Sequence, residues 1–139
     1  MKDKKDTILI VEDNALVAEF TKINFTNLNC EVDIALNGKT ALQYAEQKTY
    51  DLILMDLGLP DIDGYTVTQE IRSNELLRNN TSTPILALTA HITNEEQERC
   101  IQSGMNAIII KPLLQEKTQS LLNNYVWIKA SMSGSQLHA

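Results

Sequence analysis

Short apolar runs alternate along the chain with longer segments in which apolar residues are spaced three or four positions apart. The runs have the length and composition of strands, and four of them are apolar nearly throughout, as in a sheet buried on both faces. The predicted strands are residues 7–11, 30–34, 52–55, 85–88 and 107–110. The second run alternates apolar with acidic residues, which is typical of a strand at a sheet edge with one face in water.

The segment after each strand has the apolar spacing of an amphipathic helix. The predicted helices are residues 15–28, 38–48, 65–75, 94–103 and 113–126. Asn14 is placed to cap the first helix. Thr93 and Glu96 form a capping box for the fourth helix, which should end at Gly104. Five strand-then-helix units predict an α/β fold, in which helices cover both faces of a five-stranded parallel sheet.

The chain has 139 residues, and 12 Lys and Arg against 18 Asp and Glu give it a formal net charge of −6. This length suits one domain, which we expect over residues 7–129, between a charged leader of residues 1–6 and a polar tail or linker of residues 130–139. The acidic balance argues against nucleic-acid binding, which requires clustered Lys and Arg. Apolar runs of four or five residues are too short for a membrane span or a signal peptide. We therefore expect a cytoplasmic domain without membrane contact of its own.

Charged and hydroxyl side chains stand at the carboxyl ends of the predicted strands. They are Glu12, Asp13, Asp56, Thr89 and Lys111. In a parallel sheet of strand order 2-1-3-4-5 these ends share one edge, and the first and third strands are neighbours. Like charges 4 Å apart repel by roughly 4 kcal/mol at an effective dielectric constant of 20, so three carboxylates there require a cation. Mg²⁺ is the predicted metal because it prefers one or two carboxylates together with a phosphate.

An Asp carboxylate beside such a metal can act as the nucleophile that accepts a phosphoryl group. Asp56 is the better candidate, because it stands alone before a Gly-rich loop whereas Glu12 and Asp13 form a pair suited to holding the metal. Lys111 and Thr89 are candidates for stabilising the transferring oxygens.

Four segments resemble, in order and position, the receiver domains of two-component response regulators. They are ILIVEDN at 8–14, LILMDLGLPDIDG at 52–64, LTA at 88–90 and KP at 111–112. The resemblance covers about residues 7–125 and implies the flavodoxin-like receiver fold of five strand–helix units. It implies that Asp56 is the phospho-acceptor and that Glu12 and Asp13 form the acidic metal pocket. The backbone carbonyl of Gly58 would be a further Mg²⁺ ligand.

The resemblance also implies that Lys111 pairs with the phosphoryl group, that Thr89 is the switch hydroxyl that turns toward it, and that the Lys111-Pro112 bond is cis. The chain departs from the family where many receivers carry Tyr or Phe three residues before the Lys, because it has Ile108 there. Coupling of Thr89 to an aromatic rotamer is therefore not expected. Gly58 and His91 occupy the two variable positions that modulate attack by water on the acyl phosphate, and His91 is expected to be a solvated loop residue.

The function implied is Mg²⁺-dependent transfer of a phosphoryl group from phosphohistidine to Asp56, which switches a partner-binding surface. The partner would be a sensor histidine kinase or a histidine phosphotransfer domain, docking near the first helix at positions that include some of Phe20, Ile23, Asn24 and Asn27. The motif sequences are most similar to those of receivers in hybrid histidine kinases. The parent chain of such a receiver could be membrane-anchored. A free-standing single-domain response regulator is the alternative. The domain alone is not expected to be an enzyme, beyond catalysing its own phosphorylation and dephosphorylation.

Two other functions share parts of this site. A phosphohydrolase that uses an aspartyl phosphate would need a second acid two residues after its nucleophile, and position 58 is Gly. A docking module that is never phosphorylated would not need the intact acceptor, metal and Lys positions. A separate apolar cluster at residues 125–128 is expected either to pack the last helix onto the sheet or to form a partner surface.

Overall fold

The computed structural model of the protein describes residues 4–78 and 82–127. The strands are β1 Thr7–Val11, β2 Glu31–Ala35, β3 Leu52–Asp56, β4 Ile85–Thr89 and β5 Ala107–Ile110. The helices are α1 Ala15–Thr26, α2 Gly38–Gln47, α3 Gly64–Leu77, α4 Asn94–Ser103 and α5 Gln115–Leu121, which continues as a π-helical segment, Leu122–Trp127.

The strands form one parallel sheet in the order β2-β1-β3-β4-β5. The order confirms the predicted topology, including the half-exposed strand β2 at an edge. Strand β3 lies at the centre, and all five of its residues are buried. One apolar cluster joins the sheet to α1 and α5, and a second joins the opposite face to α2, α3 and α4. Helices therefore cover both faces, and the ends of the central strands are left as the accessible edge.

Several predicted boundaries differ from the observed ones. Helix α1 ends two residues early, and Asn29, with φ of 65°, turns the chain into β2. Strand β3 includes Asp56, which was expected to follow it. The last helix begins at Gln115, two residues late, because Leu114 is still extended. The capping box of α4 and its end at Gly104 are as predicted. The Lys111-Pro112 bond is cis, also as predicted.

Helix α1 buries a different face from the one that Leu16, Phe20 and Ile23 mark. Leu16, Phe20 and Ile23 share one face at spacings of four and three, and they are 83%, 46% and 54% exposed. The face toward the sheet contains Ala18 and Phe25, both fully buried. The helix therefore has two apolar faces, of which one packs in the core and the other forms a surface.

The C-terminal aromatic residues pack inward, as one of the two interpretations of this cluster predicted. Tyr125 and Trp127 lie against the apolar cluster of α1 and α5, and Trp127 Nε1 donates a hydrogen bond to Asp6 Oδ2 at 2.9 Å. Ile128 and the predicted tail, 130–139, lie outside the described residues. Within the ranges that are described, no helix has the length and apolar character needed to cross a membrane.

The assignment of the buried face of α1 is testable with two variants in one helix. Phe25→Ala should lower the free energy of unfolding by about 3–5 kcal/mol, because it leaves a cavity in the core. Leu16→Ala should change it by no more than about 0.5 kcal/mol, because this side chain is already in water. Urea unfolding followed by the fluorescence of Trp127, the single tryptophan, measures both. A larger cost for Leu16→Ala would show that the faces are reversed.

Candidate functional site

The carboxyl edge of the sheet brings together all five side chains that were predicted to meet there. They line an open cleft of about 500 Å³, whose walls consist of Glu12, Asp13, Asn14, Val17, Asp56, Leu57, Gly58, Thr89, Ala90, Glu96 and Lys111. Lys111 Nζ lies 2.9 Å from Glu12 Oε1 and 3.2 Å from Asp56 Oδ1. The ammonium group therefore bridges acids that follow β1 and end β3.

The turn after β1 places its two acids differently. The Glu12 amide continues the sheet by donating to the Ala35 carbonyl at 3.0 Å. Glu12 Oε2 accepts from the Asn14 amide at 3.2 Å, and Asn14 in turn caps α1. Glu12 is consequently 2% exposed, whereas Asp13 is exposed at the mouth of the cleft. One acid is fixed at the base and the other can reach a ligand from solvent.

Asp56 is held at the base of the cleft by backbone on both sides. It pairs with Leu88 in the sheet, and its Oδ1 accepts from the Gly58 amide at 3.0 Å. Gly64 packs so closely that a Cβ there would lie 2.6 Å from the Asp56 carbonyl oxygen, so a larger residue would displace the strand end. Asp56 is 5% exposed. Its carboxylate faces the cleft and is enclosed by backbone on the other sides.

The ends of β4 and β5 supply a hydroxyl and an amine. The Lys111 amide donates to the Thr89 carbonyl at 2.7 Å, which fixes the two strand ends together. Thr89 Oγ1 donates to the His91 carbonyl at 2.9 Å. The hydroxyl proton of Thr89 is therefore directed at the following loop rather than at Asp56. His91 itself is exposed, as the sequence predicted.

The electrostatics of the cleft are those of crowded acids with one cation. One carboxylate oxygen from each of Glu12, Asp13 and Asp56 lies within 4.8 Å of the others. Burial, with the nearby charge of Asp56, raises the pKa of Glu12 in spite of the contact with Lys111. Burial alone would lower the pKa of Lys111, but its contacts with Glu12 and Asp56 outweigh that effect and raise it. The cluster therefore favours any state that adds positive charge.

The donor set fits a hard divalent cation. All the available side-chain ligands are carboxylate oxygens, the kind that Mg²⁺ prefers. Glu12 Oε1 is buried, and within the described residues its compensating contact is the ion pair with Lys111 at 2.9 Å. A metal at the cleft mouth would add a second compensating charge beside it, with Asp13 and Asp56 in reach.

Two site features were not fully anticipated from the sequence. Glu96 lines the cleft as well as completing the capping box of α4. Its place in the first turn of the helix that follows β4 is the signal that could have indicated it. Of the four expected partner-facing positions, Asn24 is buried, and its side-chain amide donates to the Leu113 carbonyl at 2.6 Å. Phe20 and Ile23 are the two that present apolar surface.

The family can now be identified. Residues 8–123 match the response regulator receiver domain, which covers most of the chain, and the parallel sheet with its acidic cleft agrees with that match. The chain belongs to this family of two-component signalling domains.

Individual relatives come from longer proteins of several kinds. The chain is 32% identical over 130 residues to the transcription factor SKN7 of Saccharomyces cerevisiae, covering 94% of this chain and 20% of that protein. It is 31% identical over 121 residues to hybrid signal transduction histidine kinase L of Dictyostelium discoideum, covering 85% of this chain and 7% of that protein. The chain thus spans a fifth or less of these two relatives.

Solved structures share the fold throughout. The receiver domain of the sensor histidine kinase PA1611 from Pseudomonas aeruginosa, determined with a magnesium ion in its active site cleft, is 37% identical, with a TM-score of 0.77 over 88% of this chain and 98% of that one. The receiver domain of Ssk1 from Saccharomyces cerevisiae, in complex with the histidine phosphotransfer protein Ypd1, is 25% identical, with a TM-score of 0.85 over 91% and 92% of the two chains. These comparisons confirm the predicted fold.

Crowding of the acids should cost stability when no metal is present. Asp56→Asn removes one charge from the cluster and keeps a side chain that can accept from Gly58, so without divalent metal at pH 7 it should raise the free energy of unfolding by about 0.5–2 kcal/mol. Because the pKa of Glu12 is raised, the folded chain binds that proton more tightly than the unfolded chain. The advantage of the variant should therefore shrink as pH falls through the raised pKa toward the ordinary value of 4.5.

Glu98→Gln is the matched control, because it removes one negative charge from an exposed position on α4. Urea unfolding in the presence of a chelator, repeated from pH 7 to pH 4.5, measures wild type and both variants. Equal gains for Asp56→Asn and Glu98→Gln would mean that net charge, rather than the cluster, sets the cost.

Proposed function

We propose that this chain is a phospho-accepting receiver, in which Asp56 takes a phosphoryl group from phosphohistidine in an Mg²⁺-dependent reaction. The observation that carries the proposal is the position of Asp56: a nearly buried carboxylate at the base of an open cleft, beside an acid pair and in contact with the ammonium of Lys111. Such a carboxylate can be reached by a phosphoryl donor only from the cleft side.

The contacts of Asp56 suggest which oxygen reacts. Oδ1 accepts from the Gly58 amide and from Lys111 Nζ, so we assign Oδ2 as the nucleophile. A bond forms between Oδ2 and phosphorus as the bond from phosphorus to the donor histidine nitrogen breaks, and the histidine leaves with the electron pair. Lys111 is placed to stabilise the negative charge on the transferring oxygens.

Glu12, Asp13, Asp56 and the carbonyl of Gly58 would hold the metal. When bound, Mg²⁺ supplies positive charge to the phosphoryl oxygens and relieves the repulsion among the acids. The magnesium ion in the cleft of the PA1611 receiver supports this assignment by similarity.

The switch would begin at Thr89. Its hydroxyl donates to the His91 carbonyl in this structure, and a phosphoryl group on Asp56 offers stronger, charged acceptors. We propose that Thr89 exchanges one acceptor for the other and that the loop after β4 follows. Ile108 stands where an aromatic side chain would otherwise take part, so the switch rests on Thr89 and Lys111.

The partner would be a sensor histidine kinase or a histidine phosphotransfer domain, docking on the exposed apolar face of α1. That face, formed by Leu16, Phe20 and Ile23, adjoins the cleft, since Val17 of the same helix lines it. The complex of the Ssk1 receiver with Ypd1 supports a phosphotransfer partner. The hybrid kinases among the relatives support an origin in a hybrid histidine kinase, with a free-standing cytoplasmic regulator as the alternative.

The acceptor assignment is tested by intact-protein mass spectrometry after incubation with Mg²⁺ and acetyl phosphate. Wild type should gain one phosphoryl group, and Asp56→Asn and a sample containing a chelator should gain none. Absence of an adduct in wild type, together with failure to bind beryllofluoride, would favour a docking module that works without phosphorylation. Turnover of a phosphomonoester would instead favour a phosphohydrolase.

The docking face is tested by comparing two donors. Phe20→Ala and Ile23→Ala should each slow transfer from a phosphorylated histidine phosphotransfer domain by about tenfold, because truncating a central apolar contact weakens an interface by more than about 1 kcal/mol. Their rates with acetyl phosphate should change far less. Leu76→Ala is the control, because this side chain is also exposed, at 80%, but lies on α3. Equal slowing in all three variants would place the docking surface elsewhere.

A further inference from the structure

Asp61 ties the loop that follows Asp56 to a different element of the fold. The loop runs from residue 57 to residue 63, between β3 and α3. Asp61 Oδ1 accepts from the Gly38 amide at 2.8 Å, and Asp61 Oδ2 accepts from the Lys39 amide at 3.0 Å. Both donors belong to the first turn of α2. The loop is therefore anchored in its middle to a helix that is neither of the two elements it connects.

These bonds complete the capping of α2. A helix leaves its first backbone N–H groups without partners inside the helix. The side chain of Asn37, the N-cap, accepts from the Thr40 amide, so the amides of Gly38 and Lys39 depend on Asp61. Their hydrogen bonds lower the pKa of the Asp61 carboxyl group. Asp61 is thus a carboxylate at physiological pH, with one oxygen for each donor.

Close packing at Gly38 strengthens the same junction. A Cβ at this position would lie 2.9 Å from Val67 Cγ2 of α3 and 3.1 Å from Ile62 Cβ of the loop. Only a residue without a side chain allows α2 to start so near the loop. The hydrogen bonds of Asp61 therefore join the loop to α2 at a point where Gly38 leaves room for the two to approach closely.

The ends of the loop are fixed by other contacts, and at its start the Leu57 amide donates to the Leu88 carbonyl of β4 at 3.2 Å. At its start the Gly58 amide donates to Asp56 Oδ1, and at its end Asp63 caps α3 by accepting from the Thr66 amide at 2.9 Å. Gly58 is itself exposed, and only Leu59 and Pro60 separate it from Asp61. Leu57 and Leu59 pack against the apolar cluster on this face of the sheet, and the side-chain hydrogen bonds nearest to Gly58 that join the loop to another helix are those of Asp61.

We propose that Asp61 is a positioning residue for metal binding: by tying the loop to the first turn of α2, it holds the Gly58 carbonyl where a metal in the cleft can use it. This inference rests on the proposed function, in which Gly58 is a metal ligand. Helix α2 contributes no residue to the cleft wall, but it would then support the metal site through Asp61.

The test compares Asp61→Asn with Asp63→Asn, two changes that remove the same charge from the same loop. In Asp61→Asn, an NH₂ group replaces one of the two acceptor oxygens and faces a backbone donor. In Asp63→Asn, the cap survives, because Asn caps helices as well as Asp does. Mg²⁺ affinity is measured by isothermal titration calorimetry at constant ionic strength, and amide hydrogen exchange at Gly38 and Lys39 reports whether the tie is present.

We expect Asp61→Asn to bind Mg²⁺ about tenfold more weakly than wild type, the scale seen when the support of a metal ligand is lost, with faster exchange at Gly38 and Lys39. Asp63→Asn should stay within about twofold of wild type. Gly38→Ala disturbs the junction from the side of α2 without changing charge, so it too should bind Mg²⁺ more weakly, and it remains informative if Asp61→Asn does not fold.

The possible failures are distinct. Wild-type protein that does not bind Mg²⁺ would overturn the proposed function and this inference with it. Wild type that binds Mg²⁺, with Asp61→Asn equal to Asp63→Asn or with Gly38→Ala equal to wild type, would overturn the inference alone. Unchanged exchange at Gly38 and Lys39 in Asp61→Asn would also overturn it, because the tie would then not depend on Asp61.

Discussion

Repulsion among carboxylates at the end of the central strands is the constraint around which the rest of the structure is arranged. Glu12 and Asp56 are buried within reach of each other, and Lys111 is the cation that bridges them. The sheet order places β1 next to β3, which makes the crowding unavoidable. The loops around the cleft hold the carboxylates with backbone hydrogen bonds, so the carboxylates cannot relieve their repulsion by moving apart. Such a site is stabilised when a positive charge is added to it.

The sequence predicted the sheet order, the covering helices and five of the residues that line the cleft, because apolar runs that end in charged or hydroxyl residues carry information about both packing and position. Glu12, Asp56 and Lys111 are recognisable since parallel strands end at one edge. The buried face of α1 was not recognisable, because Leu16 and Phe25 are equally apolar and only tertiary packing chooses between them. Nor could the role of Asp61 be predicted, since its two partners lie in α2, 23 and 22 residues away along the chain.

Two helices support the cleft in different ways. Helix α1 presents apolar surface outward while its buried Asn24 holds the Leu113 carbonyl, two residues beyond Lys111. Helix α2 contacts the loop on the other side of Asp56 through Asp61. Helix α2, which lies outside the cleft wall, thus supports the side of Asp56. Helix α1, which lies partly within the wall, supports the side of Lys111. Rigidity at the acceptor is a property of the whole domain.

The hydrogen bond between Trp127 and Asp6 has a consequence for how such a domain fits into a longer polypeptide. Asp6 directly precedes β1, so the bond brings the two ends of the described chain together at the amino-terminal edge of the sheet, opposite the cleft. Asp6 and Trp127 therefore lie together on the side of the sheet opposite Asp56. Ends that lie close together allow a domain to be inserted into a longer polypeptide. The edge of the sheet that contains Asp56 would then stay accessible.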